Sequence, residues 1–214
     1  MRTGKTGAPI LAALFSAVLL LGASTTAQAI SFGPDCGAGN CFGSIYTLTT
    51  SLFGSTATTQ TYDALLTINT AGYTGQGTGL DAAAVKIVAP ENFISVTGFN
   101  LTSTFGAPTF VGLSANGCSG GSGGFTCTQS SNLGGVTVPN GDYTFGFRTT
   151  ISTGTLLGEN QWSIKALYVD STGKQAGLTS VGGGVSSVPE PMSLMLLGLG
   201  LAGIGILRRN AGSQ

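Results

Sequence analysis

The stretch Asp142-Tyr143-Thr144-Phe145-Gly146-Phe147-Arg148 decides the fold. Tyr143, Phe145 and Phe147 fall on one side of an extended chain and Thr144, Gly146 and Arg148 on the other. That period of two makes a strand with one buried face. Just before it, Pro139-Asn140-Gly141-Asp142 is a turn, because proline presets φ and the Asn-Gly pair accepts left-handed backbone.

The same pattern recurs outward in both directions. Asn160 to Asp170 sets Trp162, Ile164, Ala166 and Tyr168 on one face and Lys165, Leu167 and Val169 on the other, as in a central strand covered on both sides. Asp170-Ser171-Thr172-Gly173-Lys174 turns the chain, and Leu178 to Val181 reads as a last edge strand. Upstream, Ile45 to Phe53 alternates with Tyr46, Leu48 and Leu52 inward, and Thr58 to Asn69 turns Leu66 and Ile68 inward. Val85 to Val88 is a further short strand around Lys86, while Ala71 to Gly79 reads as loop. Between Phe93 and Phe105 the apolar parity changes at Gly98, which predicts a bulge or a split there. Phe110 to Leu113, Phe125 to Gln129 and Val136 to Val138 complete the series. Short strands, Gly/Asn turns and no helical period in the middle of the chain predict an all-β fold: one antiparallel, jelly-roll-like β-sandwich.

The two ends have another character. A basic start, Met1-Arg2-Thr3-Gly4-Lys5, precedes an apolar run from Ile10 to Leu21 and then Ala27-Gln28-Ala29. That order is a secretory leader with small residues at its exit, so cleavage is expected after Ala29, and residues 1–29 form a signal helix. At the other end Met192 to Leu207 is sixteen residues without a charge, about 24 Å of helix, followed by Arg208 and Arg209 as a cytoplasmic stop. The expected organisation is therefore leader 1–29, sandwich 30–181, Gly/Ser linker 182–187, sorting signal 188–209 with a membrane helix at 192–207, and a cytoplasmic tail at 210–214. Pro189 and Pro191 each remove an amide donor and push their predecessors, Val188 and Glu190, toward extended backbone. An extended, unpaired strand of this kind can enter a protease cleft.

Val188-Pro189-Glu190-Pro191, the apolar segment and Arg208-Arg209, in that order, resemble the PEP-CTERM sorting signal of exopolysaccharide-producing Gram-negative bacteria. The resemblance covers only the end of the chain. It implies a precursor held transiently in the inner membrane, an exosortase as processing partner, cleavage near Pro189-Glu190-Pro191, and delivery to the envelope or the exterior. Association with exopolysaccharide in a biofilm matrix is a further partner it implies. It leaves the chemistry of the folded part unassigned.

Composition narrows that chemistry. Between Ile30 and Ser187 the acids are Asp35, Asp63, Asp81, Glu91, Asp142, Glu159 and Asp170, against Lys86, Arg148, Lys165 and Lys174, a balance of −3. With no basic cluster to neutralise phosphates, nucleic acid is not an expected partner. The chain has no histidine, so Ser-His-Asp and Cys-His nucleophiles and His-based zinc sites are excluded. Four cysteines in an exported chain suggest disulfides with three possible connectivities. Cys36 with Cys41 and Cys118 with Cys127 is favoured, because each pair brackets a glycine-rich loop.

Residual site candidates are few. Asp142, Glu159 and Asp170 are the acids available for glycoside hydrolysis, which needs two carboxyls facing each other across a sugar. Turn chemistry explains them equally well. Asp170-Ser171-Thr172-Gly173 offers oxygens to calcium but only one carboxylate. Tyr73, Tyr143, Trp162 and Tyr168 would make a sugar-stacking platform if exposed; alternation places all but the loop residue Tyr73 in the core. Gly198-Leu199-Gly200-Leu201-Ala202-Gly203 spells a dinucleotide fingerprint, but inside the terminal apolar segment with no strand before it. The expectation is a non-enzymatic protein with neither cofactor nor metal; a carbohydrate-binding module and a glycan-active enzyme are the alternatives.

Overall fold

The computed structural model describes residues 27–182, apart from Asp35 and residues 37–40, 102–103, 121–122 and 153–155. Of the expected signal helix, residues 1–26 lie outside the described residues, as do the membrane helix, Val188 to Pro191 and Arg208-Arg209, while its last residues, Gln28 and Ala29, are strand because they pair with β2 (Ile45–Ser55). Among the described residues no helix is long and apolar enough to cross a membrane.

The strands are β1 (Gln28–Phe32), β2 (Ile45–Ser55), β3 (Thr59–Asn69), β4 (Gly79–Lys86), β5 (Phe93–Phe99), β6 (Gly112–Ser114), β7 (Gly117–Gly120), β8 (Thr126–Gln129), β9 (Val136–Thr137), β10 (Asp142–Ser152), β11 (Ser163–Val169) and β12 (Gln175–Gly182). Single 3-10 turns occupy Pro90–Asn92 and Glu159–Gln161. The first sheet runs β1-β2-β3-β10-β5. The second runs β12-β11-β4-β8, with β9 also paired to β4, and every pairing is antiparallel. The all-β, antiparallel expectation is met.

β10 behaves as its alternation requires. Tyr143, Phe145, Phe147, Thr149 and Ile151 point into the interior, in register with Ile68, Leu66, Ala64, Tyr62 and Gln60 of β3. Opposite them lie Leu80, Val85, Ile164, Ala166 and Tyr168 of the second sheet, all buried in one shared core. The two sheets thus close face to face as a sandwich. The connectivity mixes distant and local pairings: β10 lies between β3 and β5, and β4 between β11 and β8. Here β1, β2 and β3 follow one another as a meander, and β11 and β12 as a hairpin.

Three boundaries depart from the sequence reading. β4 begins at Gly79, well before Val85, because Ala82-Ala83-Ala84 gives no alternating signal. Both faces of this strand are covered, so alternation vanishes. Ala83 faces the core, while Ala82 and Ala84 lie under Leu113, Phe125 and Cys127. β1 starts at Gln28, so the sheet takes in two residues ahead of the expected domain start at Ile30. The parity change near Gly98 is the end of β5 at Phe99, after which the chain leaves the first sheet.

Both favoured disulfides are formed, Cys36–Cys41 and Cys118–Cys127, with Cα atoms 5.3 and 5.7 Å apart. The second ties the β6–β7 hairpin to β8 across the outer face of the second sheet, so that face is roofed. Gly43 shows why the turns are glycine-rich: its φ is +77°, and a Cβ there would collide with the Gly72 carbonyl oxygen.

Candidate functional site

Two constellations outside the general core carry chemistry worth weighing: a buried hydroxyl cluster between the sheets and a charged-aromatic group on the open face of the first sheet. In the first, the Tyr46 and Tyr168 hydroxyls lie 2.7 Å apart, Tyr46 donates to Thr179 Oγ1 at 3.1 Å, and Tyr168 donates to Ser44 Oγ at 3.1 Å. Tyr73 stacks on Tyr168 with ring centres 4.4 Å apart and accepts the Gly77 amide. Burial pushes the hydroxyl pKa of Tyr46, Tyr73 and Tyr168 above the phenol range. They therefore stay protonated, and their hydroxyl contacts tie the two sheets together.

This cluster settles the aromatic platform. Trp162 and Tyr168 are 0 % exposed and Tyr143 and Tyr73 are 8 % exposed, so none offers a ring face to a sugar. Tyr73, expected on an open loop, is drawn inward because its ring completes the packing of Phe42 and Tyr168. Trp162 Nε1 donates to Leu157 O at 2.7 Å and the Tyr143 hydroxyl to Thr137 O, which satisfies their polar ends indoors.

Glu159 does not converge with the other two acids either. Asp142 opens β10, and Glu159 lies beyond the other end of that strand. Ten residues of strand separate their ends by about 33 Å. Glu159 and Asp170 likewise flank opposite ends of β11, roughly 20 Å apart. A retaining or inverting glycosidase needs its two carboxyls within about 10 Å, so Glu159 has no partner in this trio. Asp170 is consumed by its own turn: its Oδ1 accepts from Thr172 N, Thr172 Oγ1 and Lys174 N at 2.8, 2.7 and 3.1 Å. Those bonds hold its pKa below the usual carboxylate value. Among the described residues no group of three or more His, Cys, Asp or Glu side chains is placed to hold a metal.

Sequence reasoning missed Asp63, Arg148 and Phe53. On the outer face of the first sheet Arg148 (β10) sits opposite Asp63 (β3), and its Nε and Nη2 donate to Asp63 Oδ1 and Oδ2 at 2.7 and 2.8 Å. The guanidinium carbon lies 3.4 Å from the centre of the Phe53 ring and 5.5 Å from that of Phe99. Phe53 is 59 % exposed, on the outward side of β2 that Thr47, Thr49 and Ser51 also occupy. Rows of hydroxyls run across the strands beside this group. Ser31, Thr47, Thr67 and Thr144 are cross-strand neighbours, and Thr61 and Thr150 are 3.1 Å apart. The alternation of Arg148 with the inward aromatics was the one available signal; its acidic partner comes from a strand distant in sequence.

Comparison with known protein families finds one feature, outside the described residues: residues 187–209 match the PEP-CTERM protein-sorting motif. The match takes in Val188, Pro189, Glu190 and Pro191 and ends at Arg209. It is the sorting signal of an exported exosortase substrate whose precursor is held at the membrane. No curated protein matches the chain.

Proposed function

We propose that this chain is a non-enzymatic cargo of the exosortase route: a disulfide-braced β-sandwich made as a membrane-held precursor, cut near Pro189-Glu190-Pro191, and released to the envelope or the exopolysaccharide matrix. The observation that carries this reading is the sorting motif at residues 187–209. The fold is in keeping with it, since two disulfides suit an oxidising space. The separation of Glu159 from Asp142 and Asp170 and the absence of histidine from the sequence favour a binding or structural role over catalysis. Mass spectrometry of the released protein tests it. The expected chain begins at Ile30, after cleavage at Ala27-Gln28-Ala29, and ends near Val188 or Pro189, with both disulfides intact. Protein that keeps Leu194 to Leu207 in the membrane would overturn the sorting part, and free thiols the compartment.

A second reading, carbohydrate binding, is favoured by one observation: the open face of the first sheet sets an exposed ring, Phe53, beside the Arg148–Asp63 pair and rows of threonine. A ring face supplies stacking for sugar C–H bonds, and an adjacent donor-acceptor pair suits vicinal hydroxyls. Phe53→Ala and Arg148→Ala should each weaken retention on a neutral polysaccharide at least tenfold with unchanged melting. Equal retention by wild type and both variants would remove this reading.

A further inference from the structure

The last residues of the expected leader belong to the first sheet. β1 pairs with β2 at five consecutive positions: Gln28 with Thr50, Ala29 with Thr49, Ile30 with Leu48, Ser31 with Thr47 and Phe32 with Tyr46. The bond expected to be cut, Ala29–Ile30, lies between the second and third of these pairs. Ala27, ahead of them, is exposed and outside the strand. Past the bond, Ile30 and Phe32 are buried in the core that the two sheets share.

The ladder is not all that holds β1 down. Leu48, the cross-strand partner of Ile30, is buried in the same core. Behind Phe32 the chain turns toward β2 through Gly33, whose φ is +129° and where a Cβ would lie 2.6 Å from the Ser44 carbonyl oxygen. The Cys36–Cys41 bridge then cinches the connection, and Cys41 is buried with the core residues. A bridge across a connection lowers the entropy lost in bringing its two ends together, here β1 and β2.

Resting on the leader reading above, we infer that the fold itself gates removal of the leader: the Ala29–Ile30 bond is open to the processing enzyme only while β1 is undocked, and docking with closure of Cys36–Cys41 seals it. Cutting of a folded chain concentrates at exposed loop tips, and elsewhere it runs through a transiently opened state. To present Ala27 and Ala29, the small residues of the exit site, β1 must give up its pairs with β2 and draw Ile30 and Phe32 out of the core. The unpaired side of this edge strand does not substitute, because Ile30, directly after the bond, is turned inward. A chain that folds first therefore keeps its leader. Once the cut is made, Ile30, Ser31 and Phe32 still have Leu48, Thr47 and Tyr46 as partners, so the released sandwich retains its edge strand.

The test uses the full precursor in detergent with a purified leader peptidase. One sample is folded and oxidised, as read by near-ultraviolet circular dichroism; the other is diluted from urea and thiol reductant into the enzyme at zero time. The unfolded chain should be cut between Ala29 and Ile30 at least a hundredfold faster at first than the folded one. Equal initial rates overturn the gate, whereas an unfolded chain left uncut, or cut elsewhere, overturns the leader reading beneath it. Two variants leave residues 27–32 unchanged. Leu48→Ala removes the partner of Ile30, and Cys36→Ala with Cys41→Ala removes the cinch. In folded precursor each should speed cutting at least tenfold over wild type, and in unfolded precursor each should match it within twofold. Cys118→Ala with Cys127→Ala, the bridge remote from β1, should leave the folded rate within twofold of wild type. No gain from the Cys36–Cys41 variant, or an equal gain from the remote one, overturns the seal.

Discussion

Thr149 lies on the inner face of β10, 1 % exposed, and among the described residues its hydroxyl has no hydrogen-bond partner. A buried polar group without a partner carries its desolvation cost uncompensated. Thr149→Val keeps the shape and removes that group, so it should stabilise the protein by about 1 kcal/mol, read as a higher urea midpoint at unchanged slope. Asp81 is the buried acid, 6 % exposed, in the register slip where β4 meets β11. Burial raises its pKa above 3.8, and the Gln129 amide, donating at 2.9 Å, only partly offsets this. The folded state therefore holds the proton more tightly than the unfolded chain. The resulting stability is complete below pH 3.8 and is lost as pH rises through the elevated folded value. Asp81→Asn should melt higher than wild type at pH 7, and the gap should close at pH 3. A variant that gains equally at both pH values would show that charge burial is not the cause. At this scale the sequence was poorly informative: nothing around Asp81 marks it as interior, because its burial comes from Gln129 and the β8 strand, far along the chain.

The β6–β7 hairpin is too short to hold itself in place, and a lone two-stranded ribbon is marginal in water. What pins it is the Cys118–Cys127 bridge to β8 and the apolar patch of Leu113 and Phe125 over Ala82, Ala84, Leu167 and Val169. Cys118→Ala with Cys127→Ala should cost about 2–3 kcal/mol, the usual size for a short disulfide loop. Hydrogen exchange should show faster amides in β6, β7 and β8 than in the wild type, with β2, β3 and β10 lagging far behind. A uniform rise across both sheets would mean the bridge supports the whole sandwich. Elements with one free face, β2, β3 and β10, were legible from alternation. β4 was not, since cover on both sides erased the pattern and left only three alanines. β11 was legible as a central strand because Leu167 and Val169 kept it apolar on the side the hairpin roofs.

The molecule as a whole rests on one core shared by both sheets, in which Phe145 of β10 meets Phe105 edge-on at 4.8 Å. Phe145→Ala should cost about 3–5 kcal/mol. Since the two sheets share their larger core, far- and near-ultraviolet circular dichroism should report one transition at the same denaturant concentration. Separate transitions for the two would contradict a single shared core.

The chain's order of residues determined the traffic signals, the period-two strands and the pairing of neighbouring cysteines. Each is local: a leader, a Pro-Glu-Pro segment, an alternation or a short loop is complete within a few residues. Only the tertiary structure decided that Tyr73 is buried, that Glu159 is stranded from Asp142 and Asp170, and that Arg148 meets Asp63 under Phe53. Those facts depend on which strands lie side by side, and strand order is set by burial across the whole interior, a quantity no short stretch contains.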